Sequence, residues 1–359
     1  MTAALDDEPP LASILRRRIA HDGPMPVQDF MALCLGHEAH GYYRTRDPLG
    51  AAGDFITAPE ISQMFGELIG LWLAAVWRAS GAPARFVLAE LGPGRGTLMA
   101  DALRAAGRAP GFVEAAQIWL VETSAPLRAR QAEALAERGA RWAERAEDLP
   151  AGPLFCVANE FFDALPIRQA VRAGGRWRER CVGLDGGRMV FGLGQVLPLD
   201  LNAPDGTVKE ESPASTALIG ALAGRIAEEG GALLALDYGA EAPRAGGGDT
   251  LQALRAQAPE DPLARPGEAD LTAHVDFAAL SAAARRAGCS TALTPQGAFL
   301  ERLGLTERAL ALARAAGAAA GAEAVAAAHR RLAHPEEMGT LFKALAVWPA
   351  GGARPPGLE

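Results

Sequence analysis

The sequence Phe86-Val-Leu-Ala-Glu-Leu-Gly-Pro-Gly-Arg-Gly-Thr97 is the most informative part of this chain. A short apolar run contains an acid, Glu90, and three glycines follow it closely, Gly92, Gly94 and Gly96. A helical pattern of apolar residues begins directly afterwards. Strand, glycine loop and helix in this order bring the backbone close to a nucleotide-like ligand at the amino end of the helix. The stretch therefore predicts a Rossmann-like α/β fold.

The spacing of the glycines separates two classes of cofactor. A dinucleotide fingerprint reads G-x-G-x-x-G, and its acid follows about 20 residues later. Here the spacing is G-x-G-x-G, and Glu90 precedes the first glycine. An anion beside the loop suits a ligand with an ammonium and a sulfonium group better than it suits a pyrophosphate. We predict S-adenosyl-L-methionine and a class I methyltransferase. The alternatives are a nicotinamide-dependent oxidoreductase and a glycine turn that binds nothing.

Two further apolar runs lead into polar residues, as the strands of one parallel sheet do. Residues 116–121 lead into Glu122, which at the end of a strand can accept hydrogen bonds from both ribose hydroxyls. Residues 153–158 lead into Asn159 and Glu160. Open α/β sheets bind their ligands at this edge. Cofactor contacts are therefore predicted for Glu90, Gly92, Gly94, Gly96, Glu122 and Asn159.

A series of longer motifs follows in order along the chain: Gly53-Asp-Phe-Ile-Thr-Ala-Pro-Glu60, Glu90-Leu-Gly-Pro-Gly-Arg-Gly-Thr-Leu98, Asn159-Glu-Phe-Phe-Asp-Ala-Leu-Pro166, Asp237-Tyr-Gly239, Ala269-Asp-Leu-Thr-Ala-His-Val-Asp-Phe277 and Gln296-Gly-Ala-Phe-Leu300. They resemble the MidA family of S-adenosylmethionine-dependent methyltransferases, which includes the mitochondrial assembly factor for respiratory complex I. The resemblance runs from about residue 11 to about residue 348. One departure is Ala58, where the family commonly has Ser.

The family resemblance implies a reaction and a partner. The reaction is methylation of an arginine side chain, symmetrically at both terminal nitrogens. The partner is a protein, the 49-kDa-type subunit of complex I, and the modification supports assembly of the complex. A docking protein that keeps the cofactor fold without catalysis is the alternative function.

Arginine is a difficult nucleophile, because a guanidinium has a pKa above ~12 and its lone pairs are tied up in resonance. A carboxylate can orient the guanidinium fork and take a proton as the new bond forms. We predict Glu160 and Asp163 as catalytic residues, since they lie just past a strand end, and Asp237 as a third. For Asp163 a helix cap is the structural alternative. Asn159 is expected to hold the cofactor or the substrate by its amide.

The segment from Gly53 to Glu60 allows two interpretations. Asp54 and Glu60 could reach the cofactor or the substrate from the N-terminal part of the chain. Thr57 and Glu60 also have the spacing of a capping box, so a helix start is the preferred interpretation of Glu60. Asp54 has no such local explanation, and we predict it as a cofactor contact. His274, just before a predicted helix, is the candidate for a substrate contact.

Composition narrows the class of protein. With 359 residues, 49% of them hydrophobic, the chain can bury a substantial core. A net charge of −8 argues against a general nucleic-acid binder. The four cysteines are scattered, as in a reducing compartment, and His37 and His40 lack a second cluster of ligands, so no metal is predicted.

The N-terminus and the longest apolar stretch bear on location. Three acids lie in the first ten residues, which is unlike a signal or transit peptide. The stretch from Leu68 to Trp77 is too short to cross a bilayer. We expect a bacterial cytoplasmic protein without a transmembrane segment.

The expected fold is a Rossmann-like α/β methyltransferase sheet with an N-terminal helical region and a β insertion. Glycine pairs at 174–175 and 186–187 separate alternating stretches, which is typical of hairpins. The predicted division is residues 1–82 for a helical cap region, 83–167 for the cofactor-binding half of the α/β domain, 168–210 for the β-hairpin insertion, 211–348 for the second half, and 349–359 for a disordered tail.

Overall fold

The computed structural model describes residues 9–45, 56–241, 248–317 and 319–358. Its helices are α1 (Pro10–Asp22), α2 (Val27–Gly36), α3 (Tyr42–Thr45), α4 (Ala58–Ile61), α5 (Gln63–Ala79), α6 (Thr97–Ala106), α7 (Phe112–Ala115), α8 (Ala125–Ala134), α9 (Pro213–Glu229), α10 (Phe277–Arg286), α11 (Gln296–Arg302), α12 (Leu305–Ala316) and α13 (Ala319–Ala333). Its strands are β1 (Met25–Pro26), β2 (Phe86–Leu91), β3 (Ala116–Val121), β4 (Arg141–Ala143), β5 (Leu154–Asn159), β6 (Arg168–Ala173), β7 (Arg176–Asp185), β8 (Arg188–Leu197), β9 (Val208–Glu211), β10 (Gly231–Ala240), β11 (Gln252–Arg255), β12 (Ala258–Glu260), β13 (Asp270–Thr272), β14 (Val275–Asp276), β15 (Cys289–Pro295) and β16 (Phe342–Pro349).

The chain forms two compact units, and each is built from several segments. The described residues of the first, the parallel-sheet unit, are 56–162, 217–241, 277–317 and 319–358. Those of the second, the antiparallel unit, are 9–45, 163–216 and 248–276.

The parallel-sheet unit has the strand order β15-β16-β10-β5-β2-β3-β4. Strands β10, β5, β2, β3 and β4 run parallel to one another, while β16 is antiparallel to both of its neighbours, β10 and β15. Every residue of β2 and β5 is buried, because central strands of a parallel sheet are covered on both faces. The predicted Rossmann-like α/β sheet is confirmed.

Helix α5 packs closely against α6, and two glycines of α5 make this possible. A Cβ atom at Gly70 would lie only 2.2 Å from the carbonyl oxygen of Ala102, and one at Gly66 only 2.7 Å from the Cβ of Asp101.

The division of the N-terminal part therefore differs from the predicted region 1–82. Helices α4 and α5 belong to the parallel-sheet unit, whereas α1 and α2 belong to the antiparallel unit.

The antiparallel unit contains the predicted β insertion. Its main sheet has the order β1-β7-β6-β9, with β8 also paired to β7, and β12-β11-β13 form a second sheet. Gly174 and Gly175 join β6 to β7 with φ values of +56° and +72°, as the tight turn of a hairpin requires. The unit is larger than the predicted insertion 168–210, because N-terminal helices and residues 248–276 share its apolar core.

The tail that composition predicted to be disordered has packing partners. Trp72 donates its indole N–H to the carbonyl oxygen of Pro356 at 3.1 Å. Leu358 is 6% exposed and belongs to the core of the parallel-sheet unit. A buried tryptophan needs an acceptor for its N–H, and the tail supplies it. Residues 349–358 are therefore part of the fold.

Candidate active site

The glycine loop between β2 and α6 has a backbone that favours glycine at three places. The φ values are +59° at Gly92, +53° at Gly94 and +85° at Gly96, in the left-handed region. A Cβ atom at Gly92 would lie 2.8 Å from Phe161 Cδ2, and one at Gly96 would lie 3.3 Å from the Cα of Gln131. Other residues adopt this region at a cost of about 1–2 kcal/mol. The three glycines therefore allow the loop to take this conformation, and they leave space that side chains would fill.

Glu90, in β2, is a buried carboxyl group with spare hydrogen-bonding capacity. Its side chain is 3% exposed, and among the described residues Oε2 has no hydrogen-bond partner. Burial raises the pKa of Glu90 to about 8, although a backbone N–H from Met99 opposes this shift. A buried polar atom without a partner is costly, so it indicates a ligand that carries a donor or a positive charge.

Glu122 follows β3, and its carboxylate is held from two sides. Oε1 accepts the backbone N–H of Ser124 at 2.7 Å, and Oε2 accepts Nε2 of Gln131 at 3.2 Å. Burial raises the pKa of Glu122, while these hydrogen bonds and the nearby Arg128 lower it. Each carboxylate oxygen keeps a lone pair, so the group can also accept hydrogen bonds from a ribose diol.

Asn159 is the last residue of β5, and Glu160 begins the turn after it. Nδ2 of Asn159 donates to Glu160 Oε1 at 3.1 Å, and within the described ranges its buried Oδ1 has no partner. Glu160 Oε1 also accepts the backbone N–H of Ala58 at 3.0 Å. The φ of Glu160 is +48°, which is uncommon for a residue other than glycine. Such a backbone persists where its surroundings hold it, and it occurs often at functional sites.

Asp237 secures this turn. Its side chain is completely buried, and Oδ2 accepts the backbone N–H groups of Phe161 at 3.2 Å and Phe162 at 2.9 Å. Oδ1 accepts the backbone N–H of Tyr238 at 2.9 Å. We predicted Asp237 as a catalytic carboxylate. Oδ2 thus holds the backbone that follows Glu160, and Oδ1 holds the backbone next to Asp237 itself, so these contacts favour a positioning role over the predicted catalytic one.

Glu60 connects α4 to the glycine loop, which its helix-cap interpretation did not anticipate. Its Oε1 accepts the hydroxyl of Thr97 at 2.5 Å, and its Oε2 lies 4.0 Å from Nη1 of Arg95. The helix begins at Ala58 as expected, but Thr57 makes no side-chain cap within the described structure, so the capping box is wrong. No local signal in the sequence links Glu60 to a loop so far along the chain.

Three predicted site residues are not part of the parallel-sheet unit's described residues. Asp163 and His274 belong to the antiparallel unit, and Asp54 lies outside the described residues. Asp163 is buried in a turn and not at a helix start, and its carbonyl oxygen accepts the N–H of Ala273 at 3.0 Å. His274 is exposed, although neighbouring groups lower its pKa by desolvation.

Comparison with known proteins identifies the family. A family model for S-adenosyl-L-methionine-dependent methyltransferases matches residues 68–294. The protein arginine methyltransferase NDUFAF7 homolog, mitochondrial, of Drosophila melanogaster is 36% identical over 375 residues, which cover 94% of this chain and 85% of that protein. The mitochondrial protein arginine methyltransferase NDUFAF7 of Mus musculus is 35% identical, with 95% of this chain and 84% of that protein covered.

Solved structures agree with the sequence relatives. A Burkholderia thailandensis protein bound to S-adenosyl-homocysteine has a TM-score of 0.85 and 28% identity, with 97% of this chain and 93% of that chain covered. A native crystal structure from the same organism has a TM-score of 0.83 and 29% identity over the same shares. The buried polar atoms of Glu90 and Asn159 beside the narrow glycine loop fit S-adenosyl-L-methionine. The chain belongs to the MidA family of S-adenosyl-L-methionine-dependent methyltransferases.

Proposed function

We propose that this enzyme methylates an arginine side chain of a protein. Two observations support the proposal: relatives over 30% identical are named protein arginine methyltransferases, and Glu160 follows β5, the strand paired with β2, after which the glycine loop begins. The main observation behind the proposal is that the carboxylate of Glu160 is held in a fixed orientation. Glu160 has a left-handed φ of +48°, and its Oε1 is oriented by Ala58 and Asn159.

Glu160 is proposed to act on the guanidinium of the substrate. Bound S-adenosyl-L-methionine supplies an activated methyl group, which the arginine nitrogen takes as S-adenosyl-homocysteine forms. The carboxylate accepts N–H groups of the guanidinium, which orients the fork and concentrates positive charge away from the reacting nitrogen. It also accepts the proton that this nitrogen loses. Asp237 acts indirectly, since it holds the amides of Phe161 and Phe162 and thereby the turn.

The cofactor is proposed to bind along the carboxyl ends of β2, β3 and β5. Glu90 would face the cationic amino-acid part, Glu122 the ribose, and Asn159 would donate or accept through its amide. Gly92, Gly94 and Gly96 would let the ligand approach the backbone. Asp54 stays a predicted cofactor contact, Asp163 a predicted catalytic residue, and His274 a candidate for a contact with the protein substrate.

The finer proposal is symmetric dimethylation of an arginine on the 49-kDa-type subunit of respiratory complex I, in support of assembly. It rests on the family resemblance alone. A bacterial cytoplasmic location is proposed with it. In the described part of the chain, no helix is both long and apolar enough to cross a membrane.

The function is tested with purified protein, methyl-labelled S-adenosyl-L-methionine and the purified 49-kDa-type subunit. We expect label on an arginine, and mass spectrometry of the modified residue should give the symmetric dimethyl pattern. Binding of the subunit without transfer of label would favour the docking protein. Label on another residue type would refute arginine as the acceptor.

Replacing Glu122 by alanine tests the ribose contact. We expect S-adenosyl-L-methionine to bind more weakly by about 1–3 kcal/mol, because ribose hydroxyls would lose their acceptor in a buried place. Calorimetric titration measures the change. Glu133→Ala is the control, since its exposed carboxylate lies on the same helix as Gln131 but faces solvent. Equal affinity of Glu122→Ala and wild type would rule out this contact.

Cofactor affinity is expected to depend on the protonation of Glu90. The folded pKa is about 8, so the carboxyl is mainly neutral at pH 6 and ionised at pH 9. If the ionised form pairs with the ammonium of the cofactor, binding near pH 7 expels a proton and affinity rises with pH up to about 8. The increase is at most about tenfold per pH unit.

Calorimetric titration of wild type and Glu90→Gln over pH 6–9 measures this effect. In Glu90→Gln only the titration of the ligand's own amino group changes the affinity. The ratio of the wild-type affinity to that of Glu90→Gln therefore shows the effect of Glu90 alone. We expect the ratio to rise until about pH 8 and then to level off. A ratio that stays constant would show that Glu90 does not pair with the cofactor.

A further inference from the structure

Gln131, in α8, is an uncharged polar residue with no exposed surface. Its Nε2 donates to the carbonyl oxygen of Gly94 at 2.7 Å and to Glu122 Oε2 at 3.2 Å. Its Oε1 accepts the indole N–H of Trp142 at 2.8 Å. Glutamine is mostly exposed in proteins, so one that is fully buried with this set of partners calls for a reason.

The partners determine which way the amide faces. The indole N–H of Trp142 can only donate, so it must meet the oxygen of the amide. The two hydrogens on Nε2 then face the Gly94 carbonyl and the Glu122 carboxylate. An acidic side chain would repel Glu122, and a hydroxyl has a single hydrogen to donate. A glutamine at this position satisfies all three partners together.

We propose that Gln131 is a positioning residue for S-adenosyl-L-methionine, because it ties the glycine loop to the carboxylate proposed to hold the ribose. Gly94 is in the middle of the glycine loop that follows β2, and Glu122 follows the neighbouring strand β3. One rigid amide sets the spacing between them, so both contacts reach the same ligand at once. The inference rests on the proposed ribose contact of Glu122.

The hydrogen bond from Gln131 also favours the ionised form of Glu122. Gln131 is one of four groups that lower the pKa of Glu122, together with the backbone N–H groups of Ser124 and Thr123 and the charge of Arg128. Burial acts in the opposite direction and is the largest effect. Without the donor from Gln131, Glu122 takes up a proton at a higher pH. Cofactor binding should therefore fail earlier as the pH falls.

The test is calorimetric titration of the full chain with S-adenosyl-homocysteine from pH 5 to pH 8, together with thermal unfolding. Gln131→Met keeps the volume and removes both donated hydrogens. We expect this variant to bind about tenfold or more weakly than wild type at pH 7.5. The difference in affinity between the two proteins should increase as the pH falls. The titration of Glu90 affects wild type and Gln131→Met alike, so it cancels in the ratio of their two affinities.

Gln296→Met is the matched control. Gln296 is also fully buried, and its Nε2 donates to a backbone carbonyl, that of Leu332, at 3.1 Å. This variant should lose thermal stability as Gln131→Met does, while its affinity stays within about twofold of wild type, since its hydrogen bond lies in another part of the unit. If both variants weaken binding equally, the effect of Gln131 is general destabilisation and the proposal fails.

Two further variants separate the possible failures. If Gln131→Met does not fold, Trp142→Phe removes only the hydrogen bond that orients the amide, and a smaller loss in the same direction is expected. Wild-type affinity in Trp142→Phe would then overturn the proposal. Glu122→Ala is measured in parallel. If it binds normally, the ribose contact fails and the inference with it; if it binds weakly while Gln131→Met is unchanged, the inference alone fails.

Discussion

Glu160→Gln is expected to slow methyl transfer by about a hundredfold or more, while S-adenosyl-L-methionine binds as tightly as to wild type. The substitution preserves shape: the amide oxygen can still accept from Ala58 N and Asn159 Nδ2, so the turn after β5 is kept. What is lost is the negative charge and the capacity to accept a proton. Single-turnover transfer to the 49-kDa-type subunit and calorimetric affinity measure the two effects separately.

The control for charge is Glu133→Gln, which removes an exposed carboxylate that is 72% accessible and pairs with Arg130. It should transfer methyl groups at the wild-type rate. Should Glu160→Gln also react at that rate, Glu160 is not the group that acts on the arginine. Asp163 would then be the next carboxylate to test, by the same pair of measurements.

Gly94→Val is expected to abolish measurable cofactor binding, with a loss of at least about a hundredfold, or roughly 2.7 kcal/mol. Gly94 has a φ of +53°, which a β-branched residue adopts only with strain. The new side chain would also occupy space beside the loop, where the ligand approaches the backbone. A change in the loop would in addition disturb the hydrogen bond from Gln131 to the Gly94 carbonyl. Calorimetric titration with S-adenosyl-L-methionine measures the outcome.

Gly139→Val controls for backbone strain alone. Gly139 has a similar φ of +66°, and a Cβ atom there would meet nothing within 4 Å. We expect it to lose about 1–2 kcal/mol of folding free energy and to bind the cofactor normally. If Gly94→Val binds the cofactor no worse than Gly139→Val does, the glycine loop is not the place where the ligand approaches.

Much of the geometry of the proposed cofactor site could be predicted from local sequence. The loop from Glu90 to Gly96 carries its own signal, because left-handed glycines and a strand-to-helix turn are properties of neighbouring residues. Glu122 and Asn159 could be placed as well, since parallel strands bring their carboxyl ends to one edge. The turn glycines of the hairpin β6–β7 are a further local signal that was correct.

Contacts between distant segments could not be predicted in this way. The capping-box spacing of Thr57 and Glu60 is a local pattern, but the Glu60 carboxylate instead contacts Thr97. The tail is poor in apolar residues and was predicted to be disordered, yet it supplies the acceptor for Trp72. In both cases a tertiary hydrogen bond outweighs a local preference, since propensity is a weak effect beside packing.

The class of fold, the glycine loop and the kind of cofactor could be predicted from the amino-acid sequence, because each depends on residues close together in the chain. The tertiary structure was needed to find the contacts of the individual polar groups. It made Asp237 a support for the turn of Glu160, and it brought Gln131 between Gly94 and Glu122. The physical reason is that a buried polar side chain takes its role from the partners that satisfy it, and folding brings those partners from distant parts of the chain.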